Sequence, residues 1–310
     1  MMKDKKRSLE MQMQILLRGH LLNPLWLPHD ERRRKRKTVI ADAKVKYLDV
    51  FEKEIKSMRP HNEEVHQDEQ EHAFTLWLQG EKQAPAIVRS CVDSMRRHID
   101  MPLVVLDEQT LPDWLELPDH IMRKWKEGKI SRTHFSDICR VELLYRHGGI
   151  WADATDFFTS PVPDFVKSQD FFLFMAGSNM KLGGTHAFVQ SCFMRIKKGN
   201  PLLDLWRQAL YLYWEKEDKL LDYFTLHFLL RYLVENNECA AQLFSQMPKM
   251  SADPTHVLYW EYKDKTYSPD FYKKITEKTF FQKTTYKDQS SINPQKGSIA
   301  EYIINTADNE

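Results

Sequence analysis

The stretch SRTHFSDICRVELLYRHGGIWADATDFFTSP, residues 131–161, decides the fold, because its polar residues follow a pattern that burial alone does not require. It predicts a helix, a double-glycine turn and a strand that ends in carboxylates. On a helix, Asp137 and Arg140 are three residues apart and share a face, whereas the apolar residues keep a spacing of three or four and point elsewhere. We therefore expect the charged pair to face a cleft.

The second half of the stretch predicts a chain reversal and a short strand. Gly148 and Gly149 follow the helix, where a left-handed cap and a tight turn favour residues without a Cβ. In the strand, the period of two places Trp151, Asp153 and Thr155 on one side. A carboxylate at the tip of a buried strand is costly unless it is paired or binds a cation. The residues alone therefore predict a hard divalent metal near Asp153.

The runs SDICR, LLY, GGIW and DATD resemble the signature S-D-x-x-R … L-L-Y-x-x-G-G-I-[YW]-x-D of the bacterial capsular polysaccharide synthesis glycosyltransferases. Those enzymes are relatives of the DXD-containing sugar transferases, which include the large clostridial glucosylating toxins. The resemblance extends over residues 74–161 and then weakly to the C-terminus. It implies a GT-A-like, Rossmann-type α/β fold with a mixed sheet flanked by helices. It also implies a nucleotide-sugar donor, expected to be a UDP-sugar, with a Mn²⁺ or Mg²⁺ ion held between the diphosphate and the DXD acid.

The motif positions carry over residue by residue. Asp137 and Arg140 match the residues that hold hydroxyls of the donor sugar, and Asp153 matches the first acid of DXD. The third DXD position is Thr155, not an acid, which leaves the second metal ligand open. Asp156 is a candidate ligand if the chain turns after Thr155. In a continued strand Asp156 faces the other way, and it is then a surface carboxylate at the strand end.

The resemblance also implies donor contacts outside this stretch. It places nucleotide contacts after the first strand, so Trp77 and Gln79 are candidates for the base region, with a core tryptophan and a turn glutamine as the alternative. Late in the chain, the run KTTYK is similar to a Lys-x-Thr-Tyr-Lys segment of the capsular family. Lys283 or Lys287 in this run is a candidate for neutralising the leaving diphosphate. A solvated basic face is the alternative.

Composition limits the class of protein. The chain has 310 residues with 42% hydrophobic and 12% aromatic content, typical of a globular protein. Its formal net charge of +1 argues against a nucleic-acid partner. The four cysteines are far apart and form no C-x-x-C pair, so we expect reduced core thiols, neither a zinc site nor a disulfide framework.

Hydrophobic periodicity predicts alternating strands and helices, which indicates a parallel crossover at the start of the domain. We expect helices over residues 39–58, from Pro85, over 121–125, 200–214 and 222–234, and strands over 74–78, 103–106 and 171–176. Asn200 and Pro201 form a cap and first-position pair. His227 is expected to be a hydrogen-bonded core residue. The glycine-rich segment 177–185 is interpreted as a loop that approaches the acceptor.

The N-terminal part predicts a helical extension over residues 1–72 that precedes a transferase domain over residues 73–310. Residues 61–72 are polar and acidic and are interpreted as a linker. The apolar run at Ile15 is too short for a signal sequence or a membrane span, so a cytoplasmic location is expected. Six consecutive cations, Arg32 to Lys37, follow leucines and a tryptophan. They predict either a solvated helix start or peripheral attraction to anionic lipid at the inner face of the cell membrane.

These observations favour a glycosyltransferase that moves a hexose to a saccharide acceptor, lipid-linked in the related enzymes, with retention of configuration. A glycoside hydrolase that uses Asp137 and Asp153 is one alternative, although it does not account for Arg140. A catalytically silent sugar-nucleotide-binding subunit is another. The base, sugar, acceptor, linkage and oligomeric state are not encoded in any motif that we recognise.

Overall fold

The computed structural model describes residues 29–61, 70–178 and 187–306. It is a mixed α/β structure. The strands are β1 (Ala73–Leu76), β2 (Leu103–Leu106), β3 (Gly149–Ala152), β4 (Asp156–Phe158), β5 (Phe171–Met175), β6 (Val189–Ile196) and β7 (Phe281–Lys283). The helices are α1 (His29–Tyr47), α2 (Glu52–Ser57), α3 (Ala86–His98), α4 (Asp119–Lys126), α5 (Arg132–His147), α6 (Asp164–Lys167), α7 (Pro201–Lys216), α8 (Thr225–Asn236), α9 (Glu238–Ser245), α10 (Leu258–Tyr262), α11 (Pro269–Thr276), α12 (Gln289–Ile292) and α13 (Ile299–Asn305).

Five strands form the central sheet in the order β2-β1-β3-β6-β5, and β4 pairs with β7 in a separate two-stranded sheet. Strand β1 is parallel to both β2 and β3, whereas β6 is antiparallel to β3 and β5. The predicted parallel crossover from β1 through α3 to β2 is therefore confirmed. Because β2 and β3 lie on opposite sides of β1, the chain reverses its winding direction between β1 and β3. Ligands of open α/β sheets bind outside the carboxyl ends of the strands at such a point.

The two faces of the sheet are covered differently. Trp151 of β3 packs into the large apolar cluster formed with α5, α7 and α8, whereas Ile150 and Ala152 face a second cluster on the other side. The alternation predicted for β3 is thus confirmed within the strand. The second cluster is rich in phenylalanine, since Phe158, Phe174, Phe193 and Phe281 contact one another there.

Several element boundaries agree with the sequence and several do not. Strand β2 has the predicted bounds, and α7 begins at Pro201 with the Asn200 side chain accepting from two backbone N–H groups. The predicted helix over residues 39–58 is wrong as a single helix, because a 3-10 segment, Leu48–Phe51, separates α1 from α2. Helix α8 starts later than predicted because Asp222 instead closes a turn with Thr225. The strand predicted over 74–78 is shifted to Ala73–Leu76.

The N-terminal helices pack on the rest of the fold. Ala41, Val45 and Phe51 are buried in the same cluster as α7 and α8. His61 contacts the Asp204 carboxylate through its backbone N–H at 2.7 Å. Most of the linker prediction, residues 62–69, lies outside the described residues, and the division into two domains stays a prediction.

The described part of the chain also shows the state of the cysteines and the apolar character of the helices. Cys91, Cys139 and Cys192 are buried free thiols, and Cys239 is half-buried. Burial raises the pKa of Cys91 to about 12, so this thiol is inert at neutral pH. No helix within the described residues combines the length and the apolar character that crossing a bilayer requires.

Two glycines at the start of β3 are required by close backbone contacts. Gly148 ends α5 with φ +67°, and a Cβ there would lie 2.6 Å from the Lys198 nitrogen. Gly149 has φ +94°, and its Cβ would lie 2.0 Å from the His72 carbonyl oxygen. That oxygen accepts from the Ile150 N–H at 3.0 Å and ties β3 to the start of β1. The double glycine is therefore the condition for β3 to enter the sheet.

We expect Gly149→Ala to lower the free energy of unfolding by at least about 3 kcal/mol, because it adds a backbone overlap to the unfavourable positive φ. The matched control is Gly128→Ala, at φ +71° with no heavy atom within 4 Å of the added Cβ, which should cost only about 1–2 kcal/mol. Denaturant titration of both variants measures the difference. Equal losses would show that the contact with His72 is unimportant.

Candidate active site

The candidate site is built around Arg140, which lies in the middle of α5 and is almost fully buried. Its Nη2 lies 3.2 Å from Asp137 Oδ1 and 3.0 Å from Asp153 Oδ1. Its Nη1 donates to the Ser191 carbonyl oxygen at 2.7 Å and to Ser191 Oγ at 2.8 Å. Arg140 therefore joins α5, the end of β3 and β6. Asp137 and Arg140 share a helix face as predicted and are in contact, but both side chains are buried instead of facing open solvent.

Asp153 follows directly after β3, at the edge of the sheet where the parallel strands end. Its Oδ1 accepts from Trp151 Nε1 at 2.9 Å, and its Oδ2 accepts from Lys283 Nζ at 2.7 Å. Its backbone N–H donates to the Cys192 carbonyl at 2.8 Å. Burial alone would raise the pKa of Asp153, but Arg140 and Lys283 lower it below its usual value. Asp153 is thus held ionised between two cations.

The chain turns immediately after Asp153. The strand that would have carried Thr155 on the same face as Asp153 is wrong, because β3 ends at Ala152 and the Asp156 N–H donates to the Asp153 carbonyl at 2.8 Å. The condition for Asp156 to approach Asp153 is therefore met. Strand β4 then starts at Asp156, which pairs directly with Lys283 of β7. The Lys283 ammonium lies 3.0 Å from Asp156 Oδ1.

Burial dominates the pKa of Asp156, whereas neighbouring charges together outweigh burial in setting the pKa of Lys283. Asp156 is 0% exposed, and burial raises the pKa of its carboxyl to about 7 despite the nearby ammonium. Burial would lower the pKa of Lys283, but the carboxylates of Asp153 and Asp156 raise it well above its usual range. Lys283 therefore stays charged. It was predicted to contact a diphosphate, and in this structure it contacts the two carboxylates.

A histidine on α5, His134, contacts the Asp137 carboxylate. His134 is buried, its Nε2 accepts from Trp214 Nε1 at 2.9 Å, and its Nδ1 lies 3.2 Å from Asp137 Oδ2. Since the indole N–H is only a donor, Nε2 must carry the lone pair and Nδ1 the proton. His134 is then a donor to Asp137, which fixes one oxygen of that carboxylate while Arg140 holds the other.

A second histidine closes the other side of the cluster. Ser191 Oγ accepts from Arg140 and lies 3.1 Å from His227 Nε2, so the hydroxyl donates to that nitrogen. Burial lowers the pKa of His227 to about 4, which leaves the ring neutral at pH 7. Its Nδ1–H has no hydrogen-bond partner within the described residues. The prediction that His227 is a hydrogen-bonded core residue is confirmed, although its partner belongs to this site.

The residues predicted for the base region follow β1, the strand next to β3 in the sheet. Trp77 follows β1, packs edge-on against Tyr286 with ring centroids 5.0 Å apart, and shares an apolar cluster with Ala154. Its buried Nε1 has no partner among the described residues. Gln79 is exposed. Thr155 lies in the turn, and its carbonyl accepts from the N–H and the hydroxyl of Thr284.

The carboxylate oxygens at this edge of the sheet are the kind of ligand that hard cations prefer, but only a few of them are present. Asp156 Oδ2 is buried without a hydrogen-bond partner among the described residues, while Asp156 Oδ1 and Asp153 Oδ2 both contact the Lys283 ammonium. No group of three or more His, Cys, Asp or Glu side chains suitable for a metal occurs within residues 29–61, 70–178 and 187–306. Mg²⁺ is commonly held by one or two carboxylates together with substrate phosphates and water. The two aspartates fit such a shared site.

Comparison with known proteins gives the family. A family model described as "Capsular polysaccharide synthesis protein" matches residues 26–303. The chain belongs to this family. The O-glycosyltransferase braB of Annulohypoxylon truncatum is 27% identical over 120 residues, which are 37% of this chain and 28% of the relative, so the chain spans well under a third of that protein. A solved structure, PaToxG Glycosyltransferase, aligns over 87% of this chain and 97% of its own at 9% identity with a TM-score of 0.38.

Sequence reasoning did not identify the supporting residues His134, Ser191, Trp214 and Tyr286. A usable signal existed for His134, because it precedes Asp137 by three residues and therefore shares its helix face. Ser191 lies in β6, a strand that the sequence did not predict because polar and apolar residues are mixed in VQSCFMRI. Trp214 and Tyr286 reach the site only through the packing of distant helices and loops.

The raised pKa of Asp156 predicts a specific dependence of stability on pH. Between its ordinary pKa and about 7 the folded state binds the proton more tightly than the unfolded state, so stability falls as pH rises through this window. From pH 5 to 8 we expect wild-type protein to lose about 2 kcal/mol relative to Asp156→Asn. Denaturant titrations of both proteins over this pH range test the prediction. Parallel pH profiles would contradict it.

Proposed function

We propose that the protein is a glycosyltransferase that moves a hexose from a nucleotide-sugar, of the UDP type, to a saccharide acceptor in capsular or exopolysaccharide synthesis. The observation that carries the proposal is the connected cluster Asp137–Arg140–Asp153–Lys283–Asp156 at the carboxyl ends of the parallel strands. Membership of the capsular family and the name of the O-glycosyltransferase relative support the same reaction class.

The donor would lie across the edge formed by β1 and β3. Trp77 Nε1 and Arg140 Nε have no hydrogen-bond partner among the described residues. Trp77 Nε1 and the neighbouring Tyr286 ring offer a base site, and Arg140 Nε offers a donor for a sugar hydroxyl. Buried polar atoms are normally satisfied, so these unsatisfied groups, which belong to residues at the carboxyl ends of β1 and β3 or in contact with them, support a polar ligand there. Asp137, held by His134 and Arg140, would accept from a second sugar hydroxyl.

The reaction requires stabilisation of the negative charge that develops on the leaving group. Breaking the anomeric bond places negative charge on the diphosphate, and cations fixed beside it stabilise the transition state. Lys283 supplies one such cation from the chain itself. A Mn²⁺ or Mg²⁺ ion held by Asp153 and Asp156 would supply Lewis-acid stabilisation of the diphosphate. Thr155, in the turn between these acids, would contact the donor through its hydroxyl.

Retention of anomeric configuration is part of the proposal. Asp137 and Asp153 are both engaged by Arg140, so each is a poor nucleophile for a covalent sugar intermediate. We propose that the acceptor oxygen bonds to the anomeric carbon on the same face from which the diphosphate departs, and that the hydroxyl proton passes to the departing diphosphate oxygen. The lowered pKa of Asp153 also makes it a poor general acid, which speaks against the hydrolase that pairs Asp137 with Asp153.

We expect Asp153→Asn to reduce transfer roughly 100-fold or more, because it removes the charge that positions Lys283 and the donor. Arg140→Lys should weaken use of the nucleotide-sugar more than binding of free nucleoside diphosphate, since an ammonium does not reproduce the guanidinium fork. Release of nucleoside diphosphate is measured for a panel of nucleotide-sugars with Mn²⁺, with and without acceptor saccharides.

Asp164→Asn, at an exposed position on α6 whose side chain is 97% exposed, is the control and should keep full activity. Thermal melting checks that each variant folds. Acceptor-independent sugar binding without any diphosphate release in wild-type protein would instead identify a silent binding subunit. Release of free sugar from oligosaccharides without a nucleotide donor would identify a hydrolase.

We also propose that the enzyme works in the cytoplasm at the inner face of the membrane. The basic run lies in α1, where Lys35 and Arg36 are exposed, while the side chains of Arg32 to Arg34 and all residues before His29 lie outside the description. Cations near an anionic surface contribute about 1 kcal/mol each, and only within about 10 Å at ordinary salt. Attachment should therefore be reversible and sensitive to salt.

Replacing residues 32–36 with glutamine should reduce co-sedimentation with anionic vesicles and leave activity on a short soluble acceptor intact. Binding is measured at low and high salt, with neutral vesicles as the control for hydrophobic attachment. If wild-type protein does not sediment with anionic vesicles at low salt, the membrane contact is wrong and the run is a solvated helix face.

A further inference from the structure

The place between Asp153 and Asp156 is already occupied by a positive charge of the chain. Lys283 Nζ lies 2.7 Å from Asp153 Oδ2 and 3.0 Å from Asp156 Oδ1. The position is set by backbone pairing, because Asp156 and Lys283 are direct partners in the β4–β7 ladder. The lysine is thus held against both carboxylates by the fold and is not a surface side chain that happens to reach them.

The geometry leaves a bridging cation no uncontacted oxygen on Asp153. Asp153 Oδ1 accepts from Trp151 Nε1 and contacts Arg140, so Oδ2 is the oxygen that remains for a metal, and Lys283 binds that oxygen. Asp156 Oδ2 is the one oxygen of the two carboxylates without any such contact in the described part of the chain. A divalent ion that bridges the two aspartates must therefore displace the ammonium.

The charges lead to the same conclusion. Three carboxylates (Asp137, Asp153 and Asp156) face two cations (Arg140 and Lys283), which leaves a formal charge of −1 when all are ionised. A divalent ion added to this cluster would make it positive and would lie within a few ångströms of Lys283. Like charges at such a distance in a poorly solvated site repel strongly. A diphosphate that binds with the ion makes the total charge of the site negative again. It also gives the Lys283 ammonium a new anionic partner.

We propose that the Lys283 ammonium occupies the divalent-cation site of the free protein. Mn²⁺ or Mg²⁺ then binds only together with a nucleoside diphosphate, and the displaced ammonium pairs with that diphosphate. This inference rests on the proposed function for the identity of the diphosphate, but the competition between lysine and metal is a property of this chain alone. It makes donor and metal binding mutually dependent and keeps the empty enzyme from holding a metal.

The test is Mn²⁺ binding measured by calorimetry and by the electron paramagnetic resonance of free Mn²⁺, without any sugar donor. Lys283→Met removes the competing charge at similar length, and it should bind Mn²⁺ at least roughly tenfold more tightly than wild-type protein. Lys274→Met, at an exposed position on α11, is the matched control and should bind Mn²⁺ like wild type. Lys283→Met with Asp156→Asn should lose the gain, because it also removes a ligand.

A second measurement uses wild-type protein and therefore does not depend on whether any variant folds. Addition of UDP should increase the affinity of wild-type protein for Mn²⁺ at least roughly tenfold, and Mn²⁺ should increase the affinity for UDP by the same factor. Tight Mn²⁺ binding by wild-type protein without UDP would overturn the proposal, as would Lys283→Met binding Mn²⁺ no more tightly than wild type. Absence of transfer with every nucleotide-sugar, despite tighter Mn²⁺ binding by Lys283→Met, would reject the proposed reaction and leave the competition standing.

Discussion

The structure depends on the burial of one guanidinium group. Taking Arg140 out of water is costly unless its donors find acceptors and its charge is compensated. Asp137 from the same helix, Asp153 after β3 and Ser191 of β6 meet both needs. Because these partners come from three elements, the ionic contact fixes how α5 approaches the sheet edge. Removing any one partner would leave part of a buried charge uncompensated.

The same arrangement gives the edge its chemical character. Charges held apart by fixed backbone elements in a poorly solvated place act more strongly than charges free to move in water. Trp214 and His134 fix Asp137, and β4 and β7 fix Asp156 and Lys283. The Asp137 carboxylate and the backbone at Asp156 and Lys283 are therefore held in place before any ligand arrives, and such preorganisation is the condition for electrostatic stabilisation of a leaving group.

Local sequence signals were sufficient for the parts of the fold that local physics controls. The cap at Asn200, the glycine pair after α5 and the position of Asp153 near the end of the strand were all predicted from the chemistry of neighbouring residues. The continued strand through Thr155 was predicted incorrectly, because the Asp156 N–H closes a turn on the Asp153 carbonyl. Aspartate is favoured at the first position of such a turn, but the alternating pattern was given more weight than this signal. Alternation alone does not show where a strand stops.

The pairing of β4 with β7 could not be predicted in the same way. Lys283 and Asp153 are 130 residues apart in the chain, and a lysine beside a threonine in KTTYK is equally compatible with a solvated surface. The resemblance to capsular transferases suggested that Lys283 meets a diphosphate, whereas the structure places it between two acids. Because β6 contains polar residues, the sequence pattern did not predict that strand or the position of Ser191 within it. Such long-range contacts have no local periodic signature.

We propose that the Arg140-centred edge of the sheet binds the nucleotide and its metal. The most direct measurement is a crystal structure of the protein with UDP and Mn²⁺, in which anomalous scattering locates the metal. The account predicts an anomalous peak beside Asp153 and Asp156, the diphosphate within contact of Lys283 and the base against Trp77. A nucleotide and metal bound elsewhere, with the cluster unchanged, would contradict it.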